Sequence, residues 1–496
     1  MGNKLILLLL IATNTFAQLD TLEKKSKIDY YTLNELREQL EDSFNDPALS
    51  NAFCGAFVRS LKTGEVIYKK NADKLFIPAS NIKLFTTVAA LILLGPDYVY
   101  ETNLFANGTI KNGVLQGDLI IQGTGDPTIS NRYYPGSEVK IFEDWADSLL
   151  AKGILKIDGD IIGDDSGFEN GGLGKGWLID NESYWFSAPS GALCFNDNSI
   201  EIIVKPGQQN FPASVELNPN TQYVNIIGGV ITVDNSEEQL IKCNRLRGTN
   251  LISVTGKIKK NSKPIIENIS ISNPTMYFLT VFKEVLERKG IIVTGKLTSI
   301  GNSERMIIYQ NLIPLLTHQS VPLKTIIKEL NKNSNNFYAE QILKTIGYEI
   351  YGYGTTENGI KASKDLFKQI GIDPDNLVMV DGSGLSQLNL ITPRQVVNLL
   401  SYIYKSNIFN YIYDSLPIAG VDGTLSQRMN KTTCENNVRA KPGFNLNSSA
   451  LSGYVKTISG ELLAFSIMIN NFLAPPSLIN YIQDNICNKL SNFVRN

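Results

Sequence analysis

Hydrophobic and polar positions follow three textures along this chain. Between Lys24 and Asp46, Leu33, Leu36 and Leu40 recur at helical spacing among charged residues, which predicts a leading amphipathic helix. From Ala52 to Lys69, two alternating apolar runs flank Lys62-Thr63-Gly64-Glu65, the pattern of a β-hairpin. The run from Leu84 to Leu94 is apolar on nearly every face and predicts a central, buried helix. From Glu101 to about Ile300, short β-like runs such as Leu119-Ile120-Ile121, Ile161-Ile162 and Ile200 to Ile203 alternate with Gly, Asp and Asn turns. Two helical patterns interrupt them, around Lys140 to Lys152 and Thr275 to Lys289. Beyond Pro322 helices return: Leu323 to Leu330, Asn335 to Tyr348, Gly359 to Ile370 and Pro393 to Ser406. Two apolar strands, Ala450 to Thr457 and Leu462 to Ile469, and a terminal helix close the chain.

These textures predict an α/β protein in which one discontinuous domain, residues 18–100 plus 301–496, is interrupted by a β-rich insertion, 101–300. The especially polar stretch 206–263 is expected to form a smaller subdomain within that insertion. Insertion is physically reasonable because the ends of a domain often lie close together at its surface. The extreme N-terminus has a separate logic. Lys4, the apolar stretch Leu5 to Ala12 and Thr15-Phe16-Ala17 read as a signal peptide over 1–17, too short in its apolar part to span a bilayer. The mature protein is expected to be exported to the periplasm or cell envelope, with no integral membrane segment.

Composition then narrows the chemistry. Net charge is only −2, with no basic block, so nucleic acid is not an expected partner. The five cysteines are scattered, never in a Cys-x-x-Cys pair, and read as small buried hydrophobes. With a single histidine, His318, neither a zinc site nor a histidine-based hydrolase is expected, and no cofactor is implied. His318 itself reads as a loop or helix-entry residue.

A histidine-free way to activate serine is present at Pro78-Ala79-Ser80-Asn81-Ile82-Lys83. Ser80 and Lys83, three residues apart at a helix start, share one face of its first turn, where a desolvated amine can take the hydroxyl proton. A second Ser-x-x-Lys, Ser137 to Lys140, opens an acidic surface helix and is the poorer platform. Ser334-Asn335-Asn336 places a hydroxyl and a carboxamide two residues apart, able to face one cleft; the plainer reading is a helix cap. Lys441-Pro442-Gly443 precedes the strand at Ala450, and Lys441 there is expected to lower the pKa of Lys83 by like-charge proximity. The literal Lys62-Thr63-Gly64 sits at a hairpin tip and reads as a turn.

The set Ser-x-x-Lys, Ser-x-Asn and Lys-x-Gly, in this order, resembles the class C low-molecular-mass penicillin-binding proteins, the D-alanyl-D-alanine carboxypeptidase/endopeptidases of peptidase family S13. Further landmarks are Gln122-Gly123-Thr124-Gly125-Asp126-Pro127, Ser187-Ala188-Pro189, Asp381-Gly382-Ser383-Gly384-Leu385-Ser386 and Leu416 to Leu425. About 250 residues separate Ser80 from Ser334, which fits the large insertion of that family rather than a compact β-lactamase. The resemblance implies helices around a five-stranded antiparallel sheet. It implies that Ser80 is acylated with Lys83 as its base, that Ser334 relays a proton to the leaving D-alanine, that Asn336 holds the acyl side, and that Lys441 faces the substrate carboxylate. It implies an oxyanion hole from the backbone N–H groups of Ser80 and Phe444, with Asn335, Gly443 and Phe444 lining the substrate. Peptidoglycan stem peptides would be the substrates and β-lactams the covalent inhibitors.

Two departures stand out. Where the family usually has a threonine after the lysine and often a hydroxyl residue after the glycine, this chain has Pro442 and Phe444. The expectation is weakened carboxypeptidase activity, shifted toward endopeptidase work. A silent relative that only binds wall peptides or a partner is the alternative, and an esterase or β-lactamase-like hydrolase on the same site a third. The Asp381-Gly382-Ser383-Gly384 stretch is expected to be a tight turn on the cleft floor.

Overall fold

The computed structural model describes residues 30–301 and 307–495. The predicted signal peptide and the first residues of the predicted leading helix lie outside them. Helix Leu33–Phe44 forms as the leucine spacing requires, with Leu36 and Leu40 fully buried.

A five-stranded antiparallel sheet is the centre of the helical part of the molecule. Its order runs from strand Arg439–Asn445 at one edge through Ser448–Lys456, Leu462–Asn470 and Phe53–Ser60 to Val66–Lys70. The period-2 alternation sends Phe57, Ala450, Tyr454, Ala464 and Met468 to one face and Ala56, Val58, Leu451, Phe465 and Ile467 to the other. Helices Ile82–Leu93, Asn336–Tyr351 and Pro393–Tyr404 pack on the first face. The first and last helices, Leu33–Phe44 and Pro476–Ser491, cover the second. Every residue from Ile82 to Leu91 is buried, as the all-round apolar pattern predicts. Lys62-Thr63-Gly64 is a hairpin tip, with Gly64 at φ +79°.

A second, seven-stranded sheet is built on the long hairpin Glu101–Lys111 and Val114–Gln122. Its turn is Asn112-Gly113, both residues at positive φ, the geometry that this dipeptide favours. Helices Lys140–Ala151 and Pro274–Arg288 pack on it through Phe142, Trp145, Phe278 and Phe282. Two three-stranded sheets follow, one from Ser199–Lys205, Ser214–Asn218 and Ile265–Ser270, the other from Asn225–Val233, Leu240–Arg245 and Leu251–Lys259.

Two expectations need correction. Strand Ile313–Gln319, placed by the sequence reading with the helical part, pairs antiparallel with Glu101–Ala106 and belongs to the seven-stranded sheet. His318 is in that strand, not in a loop; its ring meets Tyr134 Oη at 2.9 Å and lies 3.7 Å from Asp126. Burial pushes its pKa down to about 4, so it is neutral. The five cysteines are free thiols, all but Cys243 buried. Among the described residues no helix is long and apolar enough to cross a membrane.

Candidate active site

The chain enters its central helix through the turn Ala79–Asn81, with Ala79 in the left-handed region at φ +47°. That turn lifts Ser80 to the end of the buried helix, and Lys83 follows on the same face. Lys83 Nζ lies 2.9 Å from Ser80 Oγ, 2.7 Å from Asn336 Oδ1 and 2.6 Å from the Ser383 carbonyl oxygen. Two of these three neighbours can only accept. A neutral amine has two N–H groups for them and one lone pair, which is left for the Ser80 hydroxyl. The three contacts also fit an ammonium, which would donate to all three; the electrostatics favour release of the proton, since complete burial brings the Lys83 pKa down to about 7, against the opposing pull of the Asp381 and Glu340 carboxylates.

Ser334 sits just past helix Leu323–Asn333 at φ +57°, a left-handed C-terminal position. This reversal lets helix Asn336–Tyr351 start at once, so that Ser334 and Asn336 face the same space. Asn336 Nδ2 donates to the Phe186 carbonyl at 2.9 Å, which fixes its amide with the oxygen toward Lys83. Asn335 does something else. Its Oδ1 accepts from Tyr338 N as the helix cap and its Nδ2 donates to Asp197, so its side chain is committed away from the Ser80 cleft.

Lys441 is fully buried on the edge strand, its Nζ 2.8 Å from Ser334 Oγ and 2.8 Å from the Pro442 carbonyl oxygen. An edge is where a proline is tolerated, since the missing N–H need not serve a second strand. Asn81 Nδ2 donates to the Lys441 carbonyl at 3.0 Å and ties this strand to the Ser80 turn. Gly443 is needed by that approach: a Cβ there would stand 2.9 Å from Ser80 N and 2.8 Å from the Pro78 carbonyl oxygen. Phe444 is exposed beside it. The expected influence of Lys441 on Lys83 runs the other way. Burial lowers Lys83, whereas Lys441 is held well below its usual range by its own burial and then by the Lys83 charge.

Two carboxylates brace the site: Glu340, which the sequence did not announce, and Asp381, in the turn expected on the cleft floor. Glu340, one turn after Asn336, accepts from the N–H groups of Gly382 and Ser383, and so fixes the turn whose Ser383 carbonyl faces Lys83. Asp381 accepts from Gly384 N, Ser386 N, Asn389 Nδ2 and Trp177 Nε1. Both are raised by burial, and Glu340 further by the neighbouring Asp381 charge. The Asp-Gly-Ser-Gly turn is thus the floor of the cleft, and Gly384, at φ +83°, lies against the Ala79 backbone. Its Asp and Gly residues were the available signal; Glu340 left none. The rival Ser137 and Lys140 make no comparable site, since Lys140 pairs with Asp144 on the surface.

A family model described as the D-Ala-D-Ala carboxypeptidase 3 (S13) family matches residues 36–491. A D-alanyl-D-alanine carboxypeptidase of Actinomadura sp. is 34% identical over 473 residues, 93% of this chain and 85% of that one. The crystal structure of penicillin binding protein 4 from Haemophilus influenzae superposes with a TM-score of 0.80 at 26% identity, covering 91% of this chain and 99% of the other. A structure of that Haemophilus protein complexed with a β-lactam gives 0.74 at 24% identity, over the same shares of both chains.

Proposed function

The chain belongs to the D-Ala-D-Ala carboxypeptidase 3 (S13) family, and from that premise we propose that it hydrolyses peptidoglycan stem peptides through an acyl-enzyme on Ser80. Neutral Lys83 takes the Ser80 proton as Oγ attacks the carbonyl of the penultimate D-alanine. The Ser80 and Phe444 N–H groups hold the oxyanion that forms. Ser334 passes a proton to the leaving D-alanine amine and is replenished through Lys441. One proton leaves Ser80 and one reaches the amine, and the two lysines carry it between. Water then attacks the ester, with Lys83 again the base. The observation that carries this reading is the position of Lys83 Nζ, buried, with two acceptors and one hydroxyl around it.

Penicillins acylate Ser80 by the same route. The protein acts in the cell envelope after export, led there by residues 1–17. Lys441 binds the substrate carboxylate, which restores its charge. Pro442 and Phe444 offer that carboxylate no hydroxyl, so release of a terminal D-alanine is weakened relative to cleavage of cross-links. A purely binding role finds no support in a buried lysine poised on a serine. The test is release of D-alanine from a pentapeptide and cleavage of a cross-linked dimer by the purified chain. Both are expected, and both are lost in Ser80→Ala. Retention of either by that variant contradicts the proposal.

A further inference from the structure

A second polar cavity of about 270 Å³ opens behind the Ser334–Asn336 turn, lined by Asn335 on one side and by the inserted strands on the other. That is about nine water volumes, room for one substituted sugar ring. Two buried polar atoms of its wall are unused. Ser130 Oγ, in a residue only 3% exposed, has no hydrogen-bond partner, and neither has Asp197 Oδ1. Native proteins seldom leave buried polar atoms unpaired. The cavity is also lined by the carboxamides of Asn131, Asn196 and Asn268.

Its one cation is already paired. Arg132 is held between Asp197, at 2.9 Å, and Glu329, and Glu201 accepts from the neutral amide of Asn218 at 2.7 Å. An anionic ligand would find no free counter-charge. At the rim stands Trp185, 43% exposed. Neutral groups that both donate and accept, beside an open aromatic face, match a ring whose edge is hydroxyl and amide and whose face is C–H. The wall Asn196-Asp197-Asn198 has three consecutive left-handed residues, at φ 53°, 53° and 50°. Non-glycine residues visit this region singly, and a run of them persists only where the surroundings enforce it. Asn198 Nδ2 on the Pro189 carbonyl and Asp197 on Asn335 do so.

Two neighbours join this cavity to the Ser80 cleft. Asn335 adjoins Asn336, and Trp185 adjoins Phe186, whose carbonyl holds the Asn336 amide. We propose that the cavity is a sugar subsite that takes one N-acetylhexosamine ring of the glycan attached to the peptide in the cleft. This rests on the peptidoglycan reading above.

The test is saturation-transfer NMR of the full chain with N-acetylglucosamine and with its trimer, chitotriose. Saturable binding of both is expected, weakened about tenfold or more by Trp185→Ala and by Asn268→Ala, with the rate of penicillin labelling unchanged in both variants. No binding to the parent protein, or equal binding to parent and variants, overturns the proposal. Labelling by penicillin without sugar binding would strike this subsite alone; sugar binding without labelling would strike the peptidase reading instead.

Discussion

Lys83 and Asn336 stand 253 residues apart in sequence and 2.7 Å apart in space, amine against amide oxygen. The contact joins the buried helix of the five-stranded sheet to the start of the helix that follows Ser334, and the Ser383 carbonyl closes the same amine from a third segment. Removing the amine should therefore disable acylation without unfolding the protein. Lys83→Ala is expected to lower the rate of penicillin labelling by about 10²–10⁴-fold, read by gel fluorescence, with the sheet and its circular dichroism intact.

The pH dependence follows from the direction of the Lys83 shift. The unprotonated amine is the active form, so acylation should rise with pH through a midpoint near 7. Asp381 and Glu340 favour the charged amine, so Glu340→Gln should move the midpoint to lower pH. Stopped-flow acylation from pH 5 to 9 checks both. A midpoint that stays put or rises in the variant would contradict the assignment.

The same shift has a stability consequence. Below pH 7 Lys83 is charged in both folded and unfolded chains, and its burial costs most. Between about 7 and its ordinary value of 10.5 the unfolded chain holds the proton that the folded one has released, so stability rises with pH across that window. Lys83→Met should accordingly raise the melting temperature more at pH 6.5 than at pH 9.5, as differential scanning calorimetry would measure.

Pro442 is the departure with the clearest remedy. A threonine hydroxyl on the substrate carboxylate is worth roughly 1.5–3 kcal/mol as a hydrogen bond to a charged group. Pro442→Thr should raise D-alanine release from a pentapeptide on the order of ten- to a hundred-fold in kcat/KM. Equal rates in the two proteins would sink the idea that the proline limits carboxypeptidase activity.

Gly443→Ala probes the approach of the edge strand to Ser80. Its Cβ would meet backbone atoms at 2.8 and 2.9 Å, which no side-chain rotation relieves. Penicillin labelling should fall at least tenfold, because strand and Ser80 turn must move apart, and thermal stability should fall by a few degrees.

How much of this was legible beforehand depended on how locally each feature is encoded. Ser80 and Lys83 lie within one turn, and the unbroken apolar run behind them announced a buried helix. The strands at Ser448–Lys456 and Leu462–Asn470 announced themselves by their apolar runs, as befits strands buried on both faces. The edge position of Lys441 was foreshadowed by Pro442, which no central strand would accept. Glu340 was invisible because its role is to bind two N–H groups 42 and 43 residues away. Asn335 was misread because a cap and a substrate ligand look alike in sequence, and only Tyr338 N and Asp197 decide between them. Strand Ile313–Gln319 was missed because its partner strand lies some 200 residues earlier, so only tertiary pairing assigns it. Asn112-Gly113, by contrast, was a readable hairpin signal that passed unnoticed.

Ser80 Oγ is the atom proposed to carry the acyl group. Intact and peptide mass spectrometry after exposure to benzylpenicillin measures this directly. One penicilloyl adduct per chain, mapped to the peptide that contains Ser80 and absent from Ser80→Ala, is the predicted result. An adduct on any other residue, or an adduct that survives Ser80→Ala, would contradict it.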